Sequence, residues 1–444
     1  MTSRLPNAAA ALATALLLTG CTTDNGPRAD PLELVPAGWT DPERTLRTPD
    51  FAAYADDVRA RMIEHRVPFD PNDAVREIAL AGPREYPIDA SCNAEVRGIA
   101  ILVHGLADTA YSLSDVARTL ASNCLIARTA LLPGHGTRSA DLLEVDHRDW
   151  RASVRHLVEQ AAREHERVLL AGVSLGAILG LDVALEPDSP VGALVSISPA
   201  WRLESARLVR FTPWLRHVWT WVDEDARDDW ARYEAMPMNG IAETVLAIRA
   251  LDARIEAMQA TGRGLDVPWL VAQSADDVII DSGANAALFE RLVRSPESLL
   301  MAFRTAAGDA IRRDEGEVVP NDDPDLTGPR TVRVPGDDPA MRVTSVTHLG
   351  VHVSPGNPHW GIDGDYRACS INAPRGNDDI AACLEAERPW YAGARVPAPA
   401  GEPSARGTFN PRYAVLAEAL GEFVGDWLAS GPEDDRCSVG ATCR

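Results

Sequence analysis

The chain has 444 residues, of which 45% are hydrophobic and 24% are charged, a balance typical of globular proteins. At about 150 residues per domain the length allows roughly three domains, and one elaborated α/β domain also fits. The 65 acidic and 43 basic residues leave a net charge of −22, so we expect no binding to nucleic acid. Every basic residue is an arginine, which excludes lysine-dependent Schiff-base enzymes, Ser–Lys dyads and P-loop phosphate sites.

The first 20 residues have the features of a secretory signal peptide. A single charge, Arg4, precedes an apolar run from Ala8 to Leu18 that is too short to span a bilayer. Leu18-Thr19-Gly20-Cys21 then resembles the lipobox of bacterial lipoproteins. The resemblance implies cleavage before Cys21 and lipids on that cysteine, which would hold an exported protein at the cell envelope. Thr22 favours the outer membrane or its periplasmic face, and an ordinary signal peptide with a chance cysteine is the alternative.

Six further cysteines follow Cys21, an even number that suits disulfide bonds in an oxidising compartment. Loop closure favours neighbours in the chain, so the expected pairs are Cys92–Cys124, Cys369–Cys383 and Cys437–Cys443. Zinc is the rival interpretation, but no CxxC pair occurs and no histidines have a ligand spacing such as HExxH. We therefore expect neither a metal ion nor a cofactor.

Composition divides the rest of the chain into a tether over residues 21–48, a folded domain over 49–430 and a tail over 431–444. In the domain, short apolar strands alternate with helices, which predicts a mostly parallel, doubly wound α/β sheet. The predicted strands cover residues 98–103, 124–127, 168–173, 191–196, 268–272 and 299–303, the last being the final strand of the sheet. The predicted helices cover residues 51–63, 113–121, 150–165, 174–185, 282–293 and 410–428.

Three segments interrupt this alternation. Residues 199–264 hold five of the eleven tryptophans, Trp201, Trp214, Trp219, Trp221 and Trp230. Residues 305–345 are polar, acidic and rich in Gly and Pro, which indicates an insertion or long loop of unassigned role. Residues 361–408 form a further insertion that carries two of the cysteines.

Gly172-Val173-Ser174-Leu175-Gly176 matches the pattern G-x-S-x-G between an apolar strand and a helix. The chemistry needs a serine on a tight strand-to-helix turn, and the glycines allow that turn because a Cβ would collide with the neighbouring chain. Together with His104-Gly105 and Pro133-Gly134-His135-Gly136, this motif resembles the α/β-hydrolase family, more narrowly monoacylglycerol-lipase or S33-type serine hydrolases. The resemblance covers residues 95–360, and it implies an α/β-hydrolase fold with a helical cap at 199–264, inserted before the acid-bearing strand.

The family order of serine, acid and histidine implies an acid after the strand that follows the cap. Residues 271–280 match the family pattern G-x-x-D-x-V-V there, with Ser274 in place of the usual glycine. That register selects Asp277 as the triad acid, and Asp276 is the alternative. The neighbour that is not the acid is expected to be solvated or to cap a helix, and Asp281 is predicted to cap the helix that begins near Ser282.

The base is expected after the last strand. The His-Leu-Gly context of the family falls on His348, with His352 and His359 as alternatives. Family analogy also assigns the oxyanion-binding N–H groups to Leu106 and Leu175. His104 and His135 are expected to be structural.

These residues predict a serine hydrolase of the lipase or esterase type that cleaves a small-molecule or lipid ester through an acyl-enzyme. A peptidase or amidase with the same triad is one alternative. The other is a non-catalytic binding lipoprotein of the cell envelope that retains a hydrolase fold.

Overall fold

The computed structural model describes residues 28–38, 42–204, 209–307, 330–369, 390–394, 396–402 and 404–430. In these ranges, no helix is both long enough and apolar enough to cross a membrane. Cys21, Cys383, Cys437 and Cys443 fall outside the described residues, as do the signal peptide, most of the tether and the tail.

An eight-stranded sheet forms the centre of the molecule, in the order β1-β3-β2-β4-β5-β8-β9-β10. Only β1 is antiparallel to its neighbour, so the predicted mostly parallel sheet is confirmed. Its strands are β1 (Arg84–Tyr86), β2 (Gly98–Val103), β3 (Leu125–Thr129), β4 (Val168–Val173), β5 (Val191–Ile197), β8 (Trp269–Ser274), β9 (Leu299–Arg304) and β10 (Arg330–Pro335). Two short pairs lie outside it: β6 (Trp221–Asp223) with β7 (Met236–Pro237), and β11 (Tyr391–Gly393) with β12 (Ser404–Arg406).

Helices cover both faces of the sheet, and the alternation of side chains along each strand divides the core in two. In β2, Ile99 and Ile101 pack into one apolar cluster, while Ala100 and Leu102 pack into the other. The helices are α1 (Pro42–Leu46), α2 (Phe51–His65), α3 (Ala74–Ala81), α4 (Ser114–Ser122), α5 (His147–Glu164), α6 (Leu175–Ala184), α7 (Thr212–Leu215), α8 (Met238–Gln259), α9 (Ser282–Leu292) and α10 (Tyr413–Ala429). Among the described residues, only the helices α4 and α10 contribute buried side chains to the second cluster, whereas α2, α3, α5, α6, α8 and α9 contribute to the first.

The prediction that residues 299–303 form the final strand is wrong. β10 pairs with β9 in parallel and becomes the edge of the sheet. Its sequence, Arg-Thr-Val-Arg-Val-Pro, leaves most side chains on the surface, so it lacks the continuous apolar run of a central strand. An edge strand that ends in Pro and carries arginines is protected against pairing with another sheet.

The segment between β5 and β8 is less helical than a helical cap implies. It contains the short helix α7, the antiparallel pair β6–β7 and the long helix α8. Its tryptophans do not share one environment. Trp201 is buried in the main core, where its ring lies 5.0 Å from that of Trp269, whereas Trp214 is 66% exposed.

The predicted Cys92–Cys124 disulfide is present, with its Cα atoms 5.5 Å apart. It connects a turn of 3-10 helix, Ala90–Cys92, to the residue just before β3. Cys369 is also disulfide-bonded. Its pairing with Cys383, and that of Cys437 with Cys443, stay predictions because those partners lie outside the described residues.

Candidate active site

Ser174 lies on a sharp turn between β4 and α6, at the carboxyl end of the central strand. Its backbone has φ 53° and ψ −110°, a conformation that side chains rarely adopt and that is typical of functional sites. Both glycines of the motif are needed for close packing. A Cβ on Gly172 would overlap the backbone of Gly176, and a Cβ on Gly176 would overlap the carbonyl of Val103. The partly exposed Ser174 is thus held at the edge of the sheet by backbone contacts.

The structure brings Ser174, His348 and Asp277 together in one hydrogen-bonded row. Nε2 of His348 lies 3.1 Å from the Ser174 hydroxyl, and Nδ1 of His348 lies 2.8 Å from Oδ2 of Asp277. The second oxygen of Asp277 accepts the N–H groups of Ile279 at 2.7 Å and Ile280 at 3.3 Å. Burial alone would raise the pKa of Asp277, but the charge and hydrogen bond of His348 outweigh it and lower that pKa below its ordinary value. An ionised Asp277 can fix one tautomer of the imidazole and stabilise its charged form.

Asp276, the alternative acid, has a different partner from that of Asp277. Its Oδ2 accepts the N–H of Thr305 at 3.0 Å, at the end of β9. The expectation that this neighbour is solvated is wrong, because Asp276 is fully buried. Asp281 does cap its helix, accepting the N–H of Ala284 at 2.9 Å.

The loop that carries His348 is tied to the ends of two sheet strands. Ser274, which occupies the place of the family glycine, donates to the carbonyl of Val346 at 2.6 Å. Ser198, which follows β5, donates to the carbonyl of His348 itself at 3.1 Å. From the other side, Thr347 donates to the carbonyl of Gly407 at 2.5 Å. The departure from glycine at position 274 therefore adds a hydrogen bond that holds the histidine loop against the acid-bearing strand.

The loop after β2 supplies one of the two expected oxyanion donors. Gly105 lies against Ser174, since a Cβ at this glycine would be 3.2 Å from the serine Cβ. Leu106 follows directly, and Leu175 begins the helix after Ser174. Among the described residues, neither of these two backbone N–H groups has a protein acceptor. Two free N–H groups beside the nucleophile suit a developing oxyanion.

His104 and His135 brace the two loops that follow β2 and β3. Nδ1–H of His104 donates to Gly105 at 2.7 Å, and its Nε2 accepts the N–H of Leu132 at 3.0 Å. Burial lowers the pKa of His104 to about 4, so the ring is neutral and can act as donor and acceptor at once. His135 acts in the same way: its Nδ1–H donates to the carbonyl of Pro133 at 3.1 Å, and its Nε2 accepts the N–H of Ala107 at 3.2 Å. Both histidines have contacts of a structural kind, away from the serine.

The two alternative bases lie elsewhere. His359 forms a buried pair with Asp229 of the cap, its Nε2 2.7 Å from Oδ1, and Trp360 donates to the other oxygen at 2.8 Å. His352 is 1% exposed, and neither ring nitrogen has a hydrogen-bond partner in the described parts of the chain. Neither ring is hydrogen-bonded to Ser174.

The cap is joined to the core beside the serine. The N–H of Tyr233 donates to the carbonyl of Ala107 at 2.8 Å, and Gly240 in the first turn of α8 approaches the Leu106 side chain. Trp230 packs against both Tyr111 and His359 with tilted rings, at centroid distances of 4.8 and 4.7 Å.

Sequence reasoning missed a cluster of charged residues at the base of the cap. Asp146, His147 and Glu243 place potential metal-ligand atoms within 4.8 Å of one another. Their oxygens are already engaged, because Glu243 binds His147 at 2.6 Å and also pairs with Arg216, while Asp146 pairs with Arg148 at 2.5 Å. The cluster links α8 to α5 through ion pairs. Glu243 is 96 residues from His147 in the chain, so no local spacing in the sequence predicts the cluster.

Comparisons with known proteins find one family model and several solved structures that are similar to part of this chain. Residues 94–302 match a family model described as serine aminopeptidase, S33. A metagenome-derived lipolytic enzyme is 18% identical, with 51% of this chain and 88% of that one covered and a TM-score of 0.44. A soluble variant of monoglyceride lipase from Saccharomyces cerevisiae is 18% identical; the match covers 50% of this chain and 82% of that one, with a TM-score of 0.43. A monoacylglycerol lipase from Paleococcus ferrophilus is 15% identical; the match covers 52% of this chain and 95% of that one, with a TM-score of 0.40. No sequence of a curated protein matches the chain significantly.

Proposed function

We propose that this chain is a hydrolase of the α/β-hydrolase superfamily and that it cleaves carboxylic esters through Ser174, His348 and Asp277. The observation that carries the proposal is the row of hydrogen bonds from the serine hydroxyl through the imidazole to the carboxylate, at 3.1 and 2.8 Å. A serine hydroxyl is a weak nucleophile at neutral pH, and a histidine at this distance can accept its proton during attack.

The steps follow from the geometry. Ser174 Oγ attacks the ester carbonyl as its proton moves to Nε2 of His348, and Asp277 stabilises the resulting imidazolium. The carbonyl oxygen becomes an oxyanion that the N–H groups of Leu106 and Leu175 stabilise. His348 returns the proton to the leaving alkoxide, which leaves an acyl-enzyme on Ser174. A water molecule, deprotonated by the same histidine, then releases the carboxylic acid and restores the serine.

Replacement of Ser174 tests this mechanism. We expect Ser174→Ala to keep its melting temperature within a few degrees and to lose at least about 10⁴-fold in kcat/KM on 4-nitrophenyl butyrate, since the attacking atom is gone. A fluorophosphonate probe should label the wild-type protein and leave Ser174→Ala unlabelled. Ser122→Ala, at an exposed serine near the end of α4, is the matched control and should behave as wild type. Full turnover by Ser174→Ala would refute the proposal, and an unlabelled, inactive wild type would favour the non-catalytic alternative.

A peptidase or amidase is the second candidate function, because the matched family model is described as a serine aminopeptidase. The same three residues can cleave an amide, so the triad does not separate the two. The two functions are separated by measuring activity on a panel of 4-nitrophenyl esters and on a panel of aminoacyl arylamides. For each substrate, kcat/KM is divided by the rate of its uncatalysed hydrolysis. We expect this quotient to be larger for the esters than for the arylamides, and the reverse order would identify an amidase.

A further inference from the structure

A buried arginine of the cap has two unused donors beside the candidate active site. The Arg232 side chain is only 7% exposed, and its Nε donates to Oδ1 of Asp108 at 3.3 Å. The guanidinium carbon lies 4.1 Å from the centre of the Trp360 ring. Neither terminal nitrogen, Nη1 or Nη2, has a hydrogen-bond partner among the described residues. Buried donors of a charged group are strongly destabilising when left unpaired, so this arrangement points to a ligand.

The position of Arg232 relates it to the reacting atoms. Its partner Asp108 is two residues beyond Leu106, the expected oxyanion donor, and the N–H of Asp108 bonds the carbonyl of Gly105 at 3.4 Å. The neighbouring residue Tyr233 is hydrogen-bonded to Ala107 in the same loop. Arg232 is therefore fixed, from both its side chain and its backbone, to the loop that borders Ser174.

His352 contributes further unpaired polar atoms among the described residues. It lies four residues after His348, in the same tight loop, and both of its ring nitrogens lack partners within the described chain. Burial, followed by the nearby charges of Arg232 and His348, lowers the pKa of His352 to about 3. The ring is thus neutral and has one N–H to donate. Ala231 and Val353, the chain neighbours of Arg232 and His352, pack in one apolar cluster with Trp360, which places the two side chains in the same part of the molecule.

These donors suit a carboxylate. The planar fork of a guanidinium binds the two oxygens of a carboxylate in parallel, and a neutral imidazole N–H can add a third hydrogen bond. Of the acidic residues around Arg232, Asp108 accepts from its Nε and from Thr109, and Asp229 binds His359 and Trp360. Burial, followed by the neighbouring Asp228, raises the pKa of Glu234 well above its ordinary value, which favours the neutral form of that carboxyl. With a net charge of −22, the molecule as a whole repels anions, so any preference for one must come from a local site such as this.

We propose that Arg232 and His352 form a carboxylate-binding subsite, and that the ester cleaved at Ser174 carries a free carboxylate. This inference rests on the proposed esterase function. Such a substrate would be held by a buried, charge-assisted contact, while the ester carbonyl lies between Ser174 and the oxyanion donors. A hydrogen bond to a charged group of this kind changes affinity by about 10-fold to 100-fold.

Matched pairs of esters test the proposal on the wild-type protein. The acyl-side pairs are 4-nitrophenyl hydrogen succinate, glutarate and adipate, each compared with its methyl ester, which differs only by a masked charge. The alcohol-side pairs are 3- and 4-butyryloxybenzoate, compared with their methyl esters. We expect kcat/KM to be at least about 10-fold higher for the anionic member of one series. Equal or lower values for anionic esters in every pair would overturn the subsite and leave the esterase function intact, whereas no hydrolysis of any ester would refute the function itself.

Variants then assign the preference to the residues. Arg232→Gln should lower the ratio of kcat/KM for the anionic ester to kcat/KM for the neutral ester by at least about 10-fold. Arg232→Lys should give a ratio between those of wild type and Arg232→Gln, because lysine keeps the positive charge but lacks the two parallel N–H donors of the guanidinium. Arg249→Gln removes an exposed arginine of α8 and should leave the ratio unchanged. The rate of fluorophosphonate labelling checks that Arg232→Gln is folded. If it is not, the wild-type ester ratios still decide the proposal.

A free anion is the other source of the same chemistry. If acetate or glutarate in solution accelerates hydrolysis of the neutral esters, and the anionic esters have no advantage, the subsite binds a separate carboxylate and the substrate assignment is wrong. If free glutarate instead inhibits hydrolysis of the anionic ester competitively, and does so less well with Arg232→Gln, the assignment is supported.

Discussion

The two adjacent aspartates, Asp276 and Asp277, have different hydrogen-bond partners. Asp277 accepts from Nδ1 of His348, so we expect Asp277→Asn to lose about 10⁴-fold in kcat/KM on a short-chain ester, as for the corresponding change in serine proteases. Asp276 accepts a backbone N–H at the end of β9, which an Asn oxygen can also do. Asp276→Asn should therefore stay within about 10-fold of wild-type activity. Kinetics on 4-nitrophenyl butyrate, with denaturation curves for both variants, measure the difference.

The opposite order of the two effects would make Asp276 the acid. If neither substitution matters, the acid lies elsewhere, for example after β5. Denaturation curves separate a lost catalytic group from a lost structural one, because Asp276→Asn is expected to lower stability more than it lowers turnover.

At this scale, the sequence identified residues whose position follows from a local motif. Ser174 stands between two glycines, and His348 stands in a His-Leu-Gly context, so both could be found without a structure. The burial of Asp276 could not be found, because it depends on Thr305 at the end of another strand. Arg232 was missed for the same reason, since its surroundings come from three segments that are distant in the chain.

Among the elements, the central strands were the most predictable. β2 and β4 have the bounds expected from their continuous apolar runs, because strands buried on both faces exclude polar residues. β10 and the pair β6–β7 were missed. β10 lies at an edge, and β6 and β7 have only three and two residues, so neither periodicity nor composition distinguishes them from loops.

The loops after β2 and β3 depend on neutral histidines, which makes stability sensitive to pH. The pKa of His104 is about 4 in the folded protein, below the ordinary value of about 6.5 that it regains on unfolding. As the pH falls from 6.5 toward 4, the histidine is protonated in the unfolded state but not in the folded state. The free energy of unfolding therefore decreases, by at most about 1.4 kcal/mol per pH unit for each such histidine. Urea denaturation between pH 4.5 and 8 measures this slope.

A pair of substitutions assigns the slope to its source. His104→Gln keeps a donor and an acceptor but does not titrate, so we expect a shallower decrease in the free energy of unfolding below pH 6.5. His217→Gln removes an exposed histidine and should leave the slope as in wild type. An unchanged slope with His104→Gln would contradict the structural role derived for this ring.

For the molecule as a whole, we propose attachment to the bacterial cell envelope through lipids on Cys21. The support is the Leu-Thr-Gly-Cys sequence after a short apolar run. In a bacterial host, we expect the protein to partition into the detergent phase of Triton X-114, and Cys21→Ser to move to the aqueous phase or stay unprocessed. Thr22→Ser preserves the motif and is the control. Aqueous partitioning of the wild type would leave an ordinary signal peptide as the explanation.

The order in which the chain is made decides when this protein can become active. Ser174 lies 174 residues before His348, and Thr347 in the histidine loop is bonded to Gly407, another 60 residues on. Contacts of this range form late in folding. At roughly 5–20 residues per second, a ribosome finishes the serine turn on the order of ten seconds or more before it delivers the segment that holds the base in place. For the proposed esterase, a chain that has been made only as far as the serine turn therefore has a nucleophile without a proton acceptor, and activity requires the segment up to Gly407 to have folded.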